Sequence, residues 1–87
     1  MTTEMLKLRQ RMLKIQEKRK EGIAKKVKSL RIENGLKQEE LAFRLGLTRT
    51  SVVNMESGKQ SLTMDTLFGI FDTFDITPND FFEGIDK

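Results

Sequence analysis

Residues 49 to 54 read Arg-Thr-Ser-Val-Val-Asn, and their side chains differ in what they can touch. Arg49 carries a planar fork of donors that fits two neighbouring acceptors, Asn54 offers a donor and an acceptor side by side, and Thr50 and Val53 end in methyl groups. Ser51 adds a hydroxyl. In a helix, Val52 and Met55 gather on one face and leave these residues to the other. Such a set binds by hydrogen bonds and methyl contact rather than by covalent chemistry. The 87 residues include no histidine and no cysteine, so the usual neutral-pH base, thiolate nucleophile and metal ligands are missing. The sequence has no phosphate-cradling glycine loop and its acidic residues are scattered, so neither an enzyme nor a metal or cofactor site is expected.

The elements that would hold this face can be read from apolar spacing and from caps. Gln38 to Leu45 forms a helix with Leu41, Ala42 and Leu45 inward and Gly46 at its end. Thr48 caps the next helix, which stops at Ser57-Gly58. Two helices joined by a turn of about three residues containing glycine make a helix-turn-helix unit. Thr63 caps a helix through Phe74, and Thr77-Pro78 opens a short last one. Upstream, Ile23, Val27 and Leu30 lie on a helix ending at Asn34-Gly35. Before it, Met5, Leu8, Met12 and Ile15 form an apolar seam at spacings of three and four, widened by Leu6 and Leu13. Gly22 predicts a break between these two helices, and hence a boundary between residues 1–21 and 22–87. The step of 11 residues from Met12 to Ile23 nearly preserves helical phase, so the seam can continue across it. No strand is expected.

Charge is unevenly distributed. Residues 1–37 hold twelve Lys/Arg against four Asp/Glu, a net of +8, and residues 38–87 hold four against nine, a net of −5. Such a split suggests that one end faces a polyanion and the other faces solvent or another protein chain, although a basic helix that is simply solvated accounts for the charge equally well. No apolar run approaches the roughly 18 to 20 residues of a membrane span, and the first thirty residues are too charged for a signal peptide, so a cytoplasmic protein is expected.

Gln38, Leu41-Ala42, Gly46, Val52 with Met55, and Glu56-x-Gly58 together resemble the Cro and phage-repressor type of helix-turn-helix regulators, the xenobiotic-response-element family, over roughly residues 23–82. The resemblance implies an all-α, five-helix repressor-like DNA-binding domain carrying an extra N-terminal amphipathic helix. It implies double-stranded DNA as partner, with Arg49, Thr50 and Asn54 reading base edges and Ser51 and Val53 secondary. Arg matches the acceptors of guanine, Asn matches adenine, and methyl groups meet the thymine methyl. Ser51 has a second use, satisfying backbone at the helix start. Gln38 resembles the family's phosphate-clamping glutamine, and Lys59 and Gln60 would meet flanking phosphates. Lys37 stands where the family prefers a capping Thr, Ser or Asn; it weakens that helix start by ~1 kcal/mol and adds a cation near phosphate. Arg31 and Glu56 look like the family's internal ion pair. Asp75 takes a place where the family often has glycine.

Phe81, Phe82 and Ile85 are too many apolar side chains for one short terminal helix to bury, so a homodimer through them is expected, with a palindromic target and half-sites about one turn, roughly 34 Å, apart. Phe43 lies on an outer helix face, where a lone phenylalanine needs no special explanation. The N-terminal helix is expected to self-associate, to pack on its own domain or to meet a protein partner, ahead of any membrane role. The expected function is a dimeric repressor; an antitoxin of a toxin–antitoxin pair and an interaction adaptor that binds no DNA are the alternatives. The nearest relatives in function would be phage or mobile-element repressors and controller proteins of restriction systems.

Overall fold

The computed structural model describes residues 2–85, and these form five helices: α1 Thr3–Glu33, α2 Gln38–Leu45, α3 Arg49–Glu56, α4 Met64–Phe74 and α5 Pro78–Phe82. Four begin on a threonine whose hydroxyl accepts an early backbone N–H: Thr2 from Met5, Thr48 from Ser51, Thr63 from Thr66 and Thr77 from Asp80, at 3.1 to 3.2 Å. Each cap satisfies a donor that the helix itself leaves unpaired. The fifth start differs. The Lys37 side chain accepts no bond, having no acceptor to offer, and its backbone N–H instead donates to Glu40 Oε1 at 3.1 Å. Half of a reciprocal cap thus remains at α2.

The expected break at Gly22 does not occur: α1 runs unbroken for 31 residues, so the two helices anticipated upstream of Gly35 are one. Gly22 answers a different need. A Cβ there would lie 2.7 Å from Ile85 Cγ2 and 3.3 Å from the Ile85 carbonyl oxygen, so the glycine admits the chain after α5. Helical phase carries through, and the seam residues share a face with Ile23, Val27 and Leu30. What changes near residue 22 is burial. Every residue from Thr2 to Glu21 is exposed, whereas Ala24, Val27 and Leu30 are buried.

The core joins Val27 and Leu30 of α1 to Leu41, Ala42, Val52, Met55, Ile70 and Phe81. Phe81 corrects an expectation. It is fully buried in its own subunit, against Phe71 with ring centroids 5.4 Å apart, and has no surface left for a second copy. The short helix α5 manages this by setting Phe81 against Phe71 of α4, while Ile85 beyond it reaches Gly22 of α1. Ile85 is half-buried, while Phe82 keeps 44% of its surface exposed. Asp75 adopts the left-handed conformation, φ 50°, ending α4 where glycine would do so without strain. The result is a rounded body with a projecting helical arm, 49 × 26 × 20 Å overall.

Candidate nucleic-acid interface

Helices α2 and α3 are joined by Gly46, Leu47 and Thr48, with Gly46 at φ 67° turning the chain. Val52 and Met55, at 0% and 1% exposure, anchor α3 to the core. This fixes the opposite face: Arg49, Thr50 and Val53 are exposed, and Ser51 and Asn54 are half-buried. The structure thus brings together five residues singled out for their side-chain chemistry. Ser51 is also engaged locally, because Thr48 Oγ1 donates to its hydroxyl at 3.2 Å while accepting from its backbone N–H. Phe43 stands apart on α2, 86% exposed.

Behind this face lies an internal lock. Arg31 Nε donates to Glu56 Oε2 at 2.7 Å and Arg31 Nη2 to Glu56 Oε1 at 3.0 Å, a two-pronged pair with side chains only 12% and 3% exposed. Arg31 Nη1 reaches the Leu36 carbonyl at 2.8 Å, and Gln38 Nε2 donates to Glu56 Oε1 at 3.3 Å. The end of α1, the α1–α2 loop, the start of α2 and the end of α3 are therefore tied through the Arg31–Glu56 pair, the loop by the guanidinium and α2 by the carboxylate. The Arg31–Glu56 pair is the arrangement expected from the sequence. The Leu36 carbonyl and the Gln38 bond were not foreseen, since neither a backbone oxygen nor an 18-residue separation leaves a local signal.

An open cleft of about 480 Å³ passes in front of this lock, lined by Arg31, Lys37, Gln38, Glu39 and Arg49. With Arg31 neutralised by Glu56, Lys37 and Arg49 are the cations that favour an anion such as phosphate in this cleft, with Glu39 opposing them. At the other end of α3, the Asn54 carbonyl accepts from the Lys59 and Gln60 N–H groups at 2.9 and 3.2 Å and from the Ser57 hydroxyl at 3.1 Å. Gly58, at φ 78°, allows that turn. Lys59 and Gln60 are thus held just past α3, both exposed. A short helix with an exposed, largely polar face, flanked at both ends by groups suited to phosphate, has dimensions that fit a major groove.

This is the architecture of a helix-turn-helix transcription regulator of the Cro/C1 type. The chain belongs to the helix-turn-helix family HTH_3, which matches residues 27–81. Among solved structures, the restriction-modification controller protein C.AhdI from Aeromonas hydrophila is 31% identical, with a TM-score of 0.66 over 71% of this chain and 94% of that one. The controller protein C.Esp1396I, solved as a tetramer in complex with its natural 35 base-pair operator, is 28% identical, with a TM-score of 0.67 over 77% of this chain and 88% of that one. No curated protein sequence gives a significant match. Among the described residues, no helix is long and apolar enough to cross a membrane.

Proposed function

We propose that the protein is a homodimeric repressor that inserts α3 into the major groove of a palindromic operator, acting in the cytoplasm. One observation carries this reading: Arg49, Thr50, Val53 and Asn54 share a face that the burial of Val52 and Met55 turns outward. Arg49 and Asn54 would discriminate bases, Thr50 and Val53 would add methyl contacts, and Ser51 would contribute from the helix start. Lys37, Gln38, Lys59 and Gln60 would set the register against phosphates. The dimer contact would centre on Phe82. Its ring and that of Phe68, both exposed, stand at 6.3 and 6.4 Å from Phe71, so the two make one aromatic patch, and Phe68 takes the place that Phe81 was expected to fill. A symmetric contact there would set two copies of α3 on successive grooves, as a palindrome requires.

The test is binding to DNA from the gene's own upstream region against scrambled DNA, over a salt series, with wild type and Arg49→Ala/Asn54→Ala. The wild type should prefer the upstream DNA, with affinity falling steeply as salt rises. Both substitutions lie on the outer face of α3, so the variant should stay folded and retain only the scrambled-DNA affinity, a loss of about 2 to 6 kcal/mol for two base contacts. Equal, weak binding of both DNAs by a folded wild type would reject the reading.

A further inference from the structure

The arm of α1 is the largest feature that operator reading leaves unused. It lies outside the family match, which begins at residue 27. Met5, Leu6, Leu8, Met12, Leu13 and Ile15 are each exposed by 42 to 58%, on the same face of α1 that its other half turns to the core. We propose that this face binds the arm of a second copy of the chain, antiparallel, with Leu8 of one copy opposite Met12 of the other and Met5 opposite Ile15.

Three features favour this arrangement. The first is length. With Leu8 opposite Met12, the other copy's α1, which starts at Thr3, begins level with residue 17, short of Gly22, where Ile85 crosses the helix. Parallel, in-register arms would instead carry each helix into the partner's core, because residues 23–30 bury that same face within their own subunit. The second is the flank. Leu6 and Leu13 lie on one side of the seam, and antiparallel packing brings that side of each helix against the same side of the other, so Leu6 meets Leu13. The third is charge, since Glu4 then faces Lys18 of the second copy at each end.

The pairing is weak by construction. The six side chains would cover roughly 500 Å² per copy, ~1,000 Å² in all, at the lower limit for specific interfaces. Arg9 and Arg11 of both copies also crowd the midpoint, so salt should strengthen the pairing while it weakens DNA binding. At 1.5 Å per residue, the two Arg31 side chains would stand ~60 Å apart along the arms, against roughly 34 Å between half-sites of one palindrome. Paired arms would therefore join copies bound to separate sites rather than the two halves of one operator dimer. That consequence rests on the operator reading; the pairing itself does not.

The sequence has no cysteine, so the test can use single Leu8→Cys and Met12→Cys variants of the full chain, oxidised alone and mixed. Covalent dimers should form in the mixture and not in either variant alone. At a protein concentration where the wild type is fully associated, Leu8→Glu/Met12→Glu should halve the sedimenting mass and leave the melting midpoint of the folded body unchanged. Links within one variant would show parallel arms and overturn the proposal, as would no links at all or an unchanged mass. A wild-type arm that binds anionic phosphatidylserine vesicles but does not raise the mass would assign the face to lipid, and also overturns it. All of these measurements are made without DNA, so a failure of operator binding leaves their outcome intact.

Discussion

The two halves of α1 carry the same apolar rhythm and meet opposite fates. Met5, Leu8, Met12 and Ile15 repeat at helical spacing and stand in solvent, while Ile23, Val27 and Leu30 repeat at the same spacing and pack into the core, where α1 meets α3. The apolar period shows which way a helix faces, and other elements decide whether anything covers that face. Among the described residues, the apolar face is closed over by the core in the second half. The long helix is thus at once part of the core and a handle projecting from it, and the charges along it divide in the same way. Arg31 is held by Glu56 and the Leu36 carbonyl, whereas Arg9 and Arg11 project among exposed residues.

The contrast should be greatest for the arginines. Arg31→Ala leaves Glu56 nearly buried with only Gln38 for company, a cost of about 3 to 5 kcal/mol, against no measurable change for Arg11→Ala. Chemical denaturation of both variants checks this. Loss of DNA binding in Arg31→Ala would then reflect a loosened fold, so it must be judged beside the melting curve. A smaller contrast separates the leucines. Leu30→Ala removes a core side chain and should cost about 2 to 5 kcal/mol, while Leu13→Ala, at a concentration where copies are apart, should stay within about 0.5 kcal/mol. A comparable loss at Leu13 in dilute protein would mean that the arm folds against its own body, and the comparison would collapse.

What could be read in the sequence follows from how local each cause is. Thr48, Thr63 and Thr77 announce helix starts because a cap acts within three residues, and Gly46 announces a stop for the same reason. The outward face of α3 was legible because Val52 and Met55 fix its rotation. Arg31 and Glu56 are 25 residues apart, and their pairing came from family resemblance, not from any spacing rule. Phe81 departs from the expectation because a count of apolar residues in a five-residue helix ignores that its ring packs on Phe71 of α4 within the same subunit. Asp75 shows the reverse case: the left-handed corner is kept although the residue that favours it is not there.

Gly22 sits where the two halves meet and gives the smallest but most discriminating effect. A glycine inside an exposed helix costs ~1 kcal/mol relative to alanine, so Gly22→Ala in a free-standing arm should stabilise the protein by about that much. Here the new methyl would meet Ile85 Cγ2 at 2.7 Å, with the Ile85 carbonyl close behind, so the chain after α5 must shift. The propensity gain should therefore be offset, leaving a net change near zero or slightly unfavourable. Gly22→Ala in an Ile85→Ala background has room for the methyl and should recover most of the ~1 kcal/mol. Thermal melts of the four proteins in that cycle measure the coupling. Strict additivity would mean that Ile85 does not rest on Gly22, and the glycine would then mark neither a break nor a crossing.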